Sequence, residues 1–257
     1  MEILDSSIYA TQPLPLQKQL KTLLSESTQY PVEDDILGII VPDSNLLCGG
    51  PVAANVFKTL AGKSYDTVII VGSSHVGPFK RMTICNLNAY RTPLGDVPIN
   101  EKVCHELCDE DDDIYLDDTG HYHNKGIDVQ LPFLQETLGD FDVVPIVMGE
   151  ETPEFCKELG AAIGEIMFNR KTLVVASVDI LASAQEDLEQ FQALFEANDI
   201  QKLIPMLNRQ EISLQGRGPL LVAMIAAQRR RARRFKILDL QRPENATPGF
   251  IGAYISK

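Results

Sequence analysis

The sequence has no apolar run that approaches the roughly 18 to 20 residues needed to cross a bilayer. Its first sixteen residues, Met1 to Leu16, also lack the basic start and apolar core of a secretory signal peptide. The sequence therefore predicts no membrane association and no signal peptide.

Cysteine is scarce and odd in number: the five cysteines are Cys48, Cys85, Cys104, Cys108 and Cys156. Such a scattered set is typical of reduced thiols, so we expect a cytoplasmic protein.

Positive charge is scarce as well, because the sequence has 23 Lys and Arg but 36 Asp and Glu, which give a formal net charge of −13. A nucleic-acid-binding face would be basic, so no nucleic-acid partner is predicted. The one basic run, Arg229 to Arg234, closes an apolar stretch where cations suit the end of a helix.

Three widespread site motifs are missing: the sequence has no GxSxG elbow, no P-loop and no GxGxxG after a strand. Their absence removes the sequence support for hydrolase, nucleotide-hydrolysing and dinucleotide chemistry. The acidic run at 109–113 lacks the ligand spacing and the glycine of a calcium loop, so we interpret it as a solvated loop.

The sequence does contain short β-branched runs that alternate with amphipathic segments. Thr67 to Val71 is typical of a strand buried on both faces of a parallel sheet, and Gly72 with Gly77-Pro78 ends it. Further strands are predicted at 36–41, 143–147, 172–177, 235–240 and 250–255, with an extended region at 82–99. Helices are predicted at 16–24, 51–60, 100–108, 126–138, 153–167, 188–197, 200–208 and 219–230. This alternation predicts an α/β fold, with a mainly parallel sheet flanked by helices, in a single domain of residues 1–257.

Polar side chains follow three of the predicted strands. Asp43, His75 and Asp179 each come just after a buried run, and the carboxyl edge of an open sheet is where such folds gather ligands. Two carboxylates and an imidazole suit non-haem iron or another divalent metal. The alternative is that the aspartates cap the helices that follow, as Asp commonly does.

A second set of metal-binding side chains lies between residues 104 and 123: Cys104, His105, Cys108, His121 and His123. Zinc accepts these ligand types, but the CxxC spacing of a zinc knuckle is absent. Packed thiols and surface histidines are the alternative interpretation.

Five ordered segments resemble the Memo family, which shares its fold with the class III extradiol dioxygenases. They are Gly50-Pro51-Val52-Ala53-Ala54, Gly72-Ser73-Ser74-His75, Tyr90-Arg91-Thr92-Pro93-Leu94-Gly95-Asp96-Val97-Pro98, Gln130-Leu131-Pro132-Phe133-Leu134 and Val144-Pro145-Ile146-Val147-Met148-Gly149. The resemblance implies one α/β domain with a deep pocket at one sheet edge, where histidines and sometimes a cysteine bind iron or copper. It also implies partners: prokaryotic relatives are often encoded beside a radical-SAM protein and an AMMECR-type protein (the AmmeMemoRadiSam association), and animal members bind phosphotyrosine peptides.

The resemblance also locates changes in the pocket. The family's Pro-His-Ala-Gly-Tyr reads Pro42-Asp43-Ser44-Asn45-Leu46 here, and its Glu-His-Ser reads Asn124-Lys125-Gly126. The last histidine of Ser-Thr-Asp-x-x-His has become Ala182, and the family's Cys-Gly reads Gln215-Gly216. The implied pocket therefore consists of Asp43, His75, Lys125, Asp179 and Gln215, of which only His75 and Asp179 match the family.

These substitutions favour a binding or scaffold protein with a degenerate metal pocket, a pseudoenzyme. The alternative is a metal-dependent oxidoreductase or dioxygenase that holds iron or copper with Asp43, His75 and Asp179. A third hypothesis is a small anionic ligand bound by Lys125 and the backbone amides after Gly72.

Overall fold

The computed structural model describes residues 6–110, 113–242 and 248–257. Within them the helices are α1 (Pro13–Glu26), α2 (Gly50–Phe57), α3 (Glu101–Glu110), α4 (Lys125–Asp128), α5 (Gln130–Leu138), α6 (Pro153–Ile166), α7 (Gln185–Glu196), α8 (Ile200–Asn208) and α9 (Arg217–Arg229). The strands are β1 (Ile36–Val41), β2 (Thr67–Ser73), β3 (Met82–Ile84), β4 (Ala89–Thr92), β5 (Gly95–Pro98), β6 (Ile114–Leu116), β7 (Asp142–Met148), β8 (Thr172–Ser177), β9 (Asp179–Ser183), β10 (Ile212–Gln215), β11 (Arg234–Gln241) and β12 (Gly249–Ser256).

One large sheet organises the described residues, in the strand order β10-β9-β12-β1-β8-β2-β7-β3-β6, with β11 also paired to β12. Its four central strands, in the order β1, β8, β2 and β7, run parallel to one another. Antiparallel pairs such as β1–β12 and β3–β7 extend it on both sides. Helix α9 packs against β1, β2 and β8, and α2 packs against β1 and β12. The predicted α/β class is confirmed.

Strands β1, β2 and β8 are buried along their whole length, as their β-branched runs predicted, and β7 is buried after its first residue. Helix α9, apolar on nearly all sides, packs closely against α6. Glycines make this close approach possible: a Cβ on Gly160 would lie 2.8 Å from Ile225, and one on Gly164 would lie 2.6 Å from the Cβ of Arg229. Larger residues at these two positions would force the helices apart.

Several predicted boundaries are wrong in detail. The helix predicted at 126–138 is two helices, α4 and α5, and Pro132 lies in the first turn of α5, where its missing N–H has no intrahelical partner to lose. The extended region at 82–99 contains β3 and the hairpin β4–β5. Asp109 and Glu110, interpreted as loop, belong to α3, while residues 111 and 112 of that acidic run lie outside the described residues.

The described part of the chain contains all five cysteines, and no disulfide bond joins any of them there. None of the helices in the described ranges is both long and apolar enough to cross a membrane.

Candidate functional site

The three predicted metal ligands meet at the carboxyl edge of the central sheet. Strand β8 lies between β1 and β2 and runs parallel to both, so the residues that follow these strands come together. His75 Nε2 lies 2.9 Å from Asp43 Oδ2, and the backbone N–H of Asp43 donates to Asp179 Oδ1 at 2.9 Å. The arrangement is a connected cluster of side chains that bond to one another.

Both oxygens of Asp179 hold the turn that carries Asp43. Oδ1 accepts the Asp43 N–H, and Oδ2 accepts the hydroxyl of Ser44 in a short hydrogen bond. Asp179 begins strand β9, and helix α2 has Gly49 at its N-cap without a side-chain bond. The alternative that these two aspartates cap the following helices is therefore wrong.

His75 uses both ring nitrogens within the protein. The backbone N–H of Lys125 donates to Nδ1 at 3.3 Å, so Nδ1 must offer its lone pair. The ring hydrogen then lies on Nε2 and faces Asp43 Oδ2. In this geometry His75 has no lone pair left for a metal ion.

The site concentrates acidic groups in a buried environment. Burial raises the pKa of Asp43, against the opposing hydrogen bond and charge of His75. Burial likewise raises the pKa of Asp179 to about 7, helped by the nearby Asp43 charge and opposed by the Ser44 hydrogen bond. Burial lowers the pKa of His75, but the bond and charge of Asp43 outweigh it, so the pKa of His75 lies above its ordinary value. The histidine and the neighbouring carboxyl groups are therefore coupled electrostatically.

A shell of buried amide and hydroxyl groups supports this cluster. Gln130 Nε2 donates to the carbonyl of Pro42 at 2.9 Å and to Ser177 Oγ at 2.8 Å. Asn124 Nδ2 donates to the carbonyls of Ser73 and Gly120, at 2.9 and 3.0 Å. Sequence reasoning missed these supporting residues, because buried amides follow no periodic pattern.

Gly126 fits against the same cluster because it has no side chain. A Cβ there would lie 3.0 Å from Asp43 Oδ1 and 3.2 Å from Asn124 Oδ1. Neither of these two buried oxygens has a hydrogen-bond partner in the described ranges. A side chain at position 126 would therefore crowd Asp43.

A cavity of about 460 Å³ opens beside the cluster, and it is lined by Ser73, Ser74, Met148, Glu151 and Arg217 among others. Glu151 accepts a short hydrogen bond from the Ser73 hydroxyl and one from the Gly218 N–H at 2.8 Å. Burial raises the pKa of Glu151, against the opposing hydrogen bonds of Ser73 and Gly218. Sequence reasoning missed Glu151, although it lies only three residues after the end of β7 at Met148.

The remaining predicted pocket residues lie at the margin. Lys125 is exposed, and it reaches His75 through its backbone N–H. Gln215 is half-buried on β10 and pairs in register with Asp179 on β9. Ala182 is exposed on β9.

The structure does not bring the second predicted metal set together. His121 is buried, with Nδ1 3.1 Å from the Tyr90 hydroxyl and Nε2 3.2 Å from the Thr83 carbonyl, while His105 and His123 are exposed. Across 6–110, 113–242 and 248–257, no group of three or more His, Cys, Asp or Glu side chains is arranged to hold a metal ion.

Asp43, His75 and Asp179 are not arranged as a metal centre either. Iron or copper needs about three ligand atoms with available lone pairs, plus open positions. Here His75 has no lone pair available, and each Asp179 oxygen keeps one lone pair while a protein donor holds it in place. Of the carboxylate oxygens of Asp43 and Asp179, only Asp43 Oδ1 has no hydrogen-bond partner among the described residues. This arrangement does not fit a preformed three-ligand metal centre.

Comparison with known proteins agrees with the fold. A MEMO1 family protein of Saccharolobus solfataricus is 31% identical over 238 residues, covering 85% of this chain and 82% of that protein. One from Saccharolobus islandicus is 28% identical over 275 residues, covering 96% and 95%. The crystal structure of an uncharacterised Escherichia coli K12 protein superposes with a TM-score of 0.57 at 14% identity, covering 85% of this chain and 99% of that one.

The family model described as "Memo-like protein" matches residues 4–248. That match spans nearly the whole chain, from before α1 to the residue before β12, and includes the whole cluster at the carboxyl edge. The chain belongs to the Memo-like protein family.

Proposed function

We propose that this Memo family chain is a binding or scaffold protein whose degenerate pocket no longer performs metal-dependent oxidation. The observation that carries the proposal is the double engagement of His75. Asp43 takes its Nε2–H and the Lys125 N–H takes its Nδ1 lone pair, so the imidazole acts as a structural link between two loops.

The role of Asp179 supports the same conclusion. Its two oxygens fix the backbone of Asp43 and the hydroxyl of Ser44. A rotation of this carboxylate towards a metal ion would disturb the two contacts that hold the loop in place. The hydrogen bonds of His75 and Asp179 hold the loops at this edge of the sheet in fixed positions. Loops fixed in this way can form a binding surface for a partner protein.

The competing function is a metal-dependent oxidoreductase or dioxygenase that uses Asp43, His75 and Asp179. It requires His75 to break its bonds to Asp43 and Lys125 and to release a lone pair. The anionic-ligand hypothesis relies on Lys125 and the backbone amides after Gly72. It places the anion beside the buried carboxyl groups of Asp43, Asp179 and Glu151, which repel an anion whenever they are ionised.

The deciding experiment measures bound metal per chain after exposure to iron(II), copper and zinc, followed by removal of weakly bound ions. We expect no stoichiometric metal in the wild type and no oxygen uptake with catechol-type substrates. The variant His75→Ala is compared with His105→Ala, which removes an exposed histidine on α3. One equivalent of metal that disappears in His75→Ala and persists in His105→Ala would overturn the proposal in favour of the enzyme.

A further inference from the structure

The opposite edge of the same central strands holds a second cavity, of about 590 Å³. It is lined by the residues that precede or begin β1, β2 and β8, at their amino ends, and by Arg230 just after α9. Its volume lies within the range of about 300 to 1,000 Å³ that is usual for small-molecule sites. We call it the amino-edge pocket.

The lining of the amino-edge pocket is strongly cationic, in contrast to the chain as a whole. Its charged side chains are Lys63, Arg170, Lys171, Arg230, Lys257 and a single acid, Asp35. Arg170 pairs with Glu106 at 2.7 Å, and Lys257 lies 3.6 Å from Asp35. The excess positive charge therefore comes mainly from the remaining three cations.

Lys63 and Lys171 bond only to neutral oxygens in the described part of the chain. Lys63 Nζ donates to the carbonyl of Asp34 at 3.0 Å, and Lys171 Nζ donates to Ser64 Oγ at 2.9 Å. Neither ammonium group has a carboxylate partner among the described residues. A ligand with negatively charged oxygens would supply the missing partner.

Two further donors in the pocket have no hydrogen-bond partner among the described residues: Thr172 Oγ1 and Arg230 Nε. Thr172 is only 4% exposed, so its hydroxyl has little access to bulk water. A buried donor without a partner costs stability, and an acceptor brought by a ligand would recover that cost.

Helix ends account for only part of this charge. The C-termini of α6 and α9 carry partial negative charge, and Arg170 and Arg230, which follow them, interact favourably with it. Lys63 follows the short 3₁₀ turn Lys58–Leu60 that extends α2, but its Nζ donates to the carbonyl of Asp34 and not to a carbonyl of that helix end. The unpaired lysines and the two unpartnered donors therefore require another explanation.

The pocket also has an apolar part. Phe168 is 66% exposed, and the Arg230 guanidinium lies 4.5 Å above its ring. An exposed aromatic ring next to a cation suits a ligand with a planar or apolar body as well as a charged group.

We propose that the amino-edge pocket binds a small organic phosphate. Lys63, Lys171 and Arg230 contact its phosphoryl oxygens, and Phe168 packs against its organic body. This site is separate from the carboxyl-edge cluster and does not depend on the function proposed for it.

The test is calorimetric titration with pyrophosphate, ADP and adenosine at constant ionic strength. We expect saturable binding of pyrophosphate and ADP, and none of adenosine. The variant Lys63→Gln/Lys171→Gln should weaken both phosphate ligands by about tenfold or more. Phe168→Ala should weaken ADP by roughly fivefold and leave pyrophosphate within about twofold of the wild type.

Two matched variants keep the proposal falsifiable. Lys102→Gln removes an exposed lysine on α3, outside the pocket, and Lys125→Gln removes the cation at the carboxyl edge. Both should bind as the wild type does, and thermal unfolding should show that every variant is folded. Absence of phosphate binding, equal loss in Lys102→Gln, or loss confined to Lys125→Gln would each overturn the proposal.

Discussion

Buried His121 gives the chain a pH-dependent stability that can be worked out from the structure. Its neutral form is satisfied on both sides, since the Tyr90 hydroxyl faces Nδ1 and the Thr83 carbonyl faces Nε2. Burial lowers the pKa of His121 from 6.5 to about 4, although the Thr83 carbonyl and the charges of Asp118 and Asp117 oppose the decrease. The folded protein thus resists protonation that the unfolded chain accepts.

The sign and size follow from proton linkage. Between pH 6.5 and about pH 4 the unfolded chain binds a proton on His121 that the folded chain does not bind. The contribution of neutral His121 to the free energy of unfolding is therefore fully present above pH 6.5, and it decreases as the pH falls towards 4. Each pH unit in this interval is worth about 1.4 kcal/mol, so the total loss from this residue is about 3 kcal/mol.

Urea unfolding at several pH values between 7 and 4 measures this effect. Other groups titrate in the same range, so the informative quantity is the difference in pH dependence between the wild type and His121→Gln. Between pH 7 and pH 4, we expect the free energy of unfolding of His121→Gln to fall by about 3 kcal/mol less than that of the wild type. His105→Gln, which removes an exposed histidine, should show the same decrease as the wild type. Parallel curves for the wild type and His121→Gln, or a His121 resonance that titrates near its ordinary pKa, would refute the reasoning.

Two further substitutions test the backbone and amide contacts around the carboxyl edge. Gly216 has φ +91°, and a Cβ there would lie 2.0 Å from the Ser177 carbonyl oxygen, whereas Gly139 has φ +80° with open space around it. In urea unfolding, we expect Gly216→Ala to lower the free energy of unfolding by at least about 3 kcal/mol and Gly139→Ala to lower it by about 1 kcal/mol. Equal losses would show that the close contact is unimportant. Gln130→Leu removes the donor to Pro42 and Ser177 and should lower the free energy of unfolding by about 2 kcal/mol. The control Gln185→Leu, at an exposed position, should have a negligible effect. A similar small loss in both variants would contradict the role of Gln130.

The fold could be predicted where strands are buried on both faces. The β-branched runs of β1, β2, β7 and β8 need little context, and their ends match the predicted ones closely. Strands β9 and β10 were missed because they are short and partly exposed, and because they exist through antiparallel pairing with each other. The sequence of residues 179–183 alone does not predict a strand.

The candidate site could be predicted only in outline. Parallel strands place Asp43, His75 and Asp179 together whatever their side chains do, so their convergence follows from topology. Their hydrogen bonds do not, because a sequence cannot show that Lys125 contributes a backbone N–H or that Asp179 holds the turn at Ser44. The same residue types would suit a metal site if these two contacts were absent.

The two edges of the central strands differ in chemistry, and the difference explains why one sheet can bear two separate sites. At the carboxyl edge, Asp43, Asp179 and Glu151 are buried together, and nearly all of their bonds stay within the protein. At the amino edge, Lys63 and Lys171 have no carboxylate partner among the described residues. In a chain with a formal net charge of −13, such a local excess of positive charge opposes the general field and concentrates anions where the rest of the surface repels them. An anionic ligand attracted by that local excess would meet the unpartnered donors Thr172 Oγ1 and Arg230 Nε, whereas the opposite edge would present it with carboxyl groups, including the unpartnered acceptor Asp43 Oδ1.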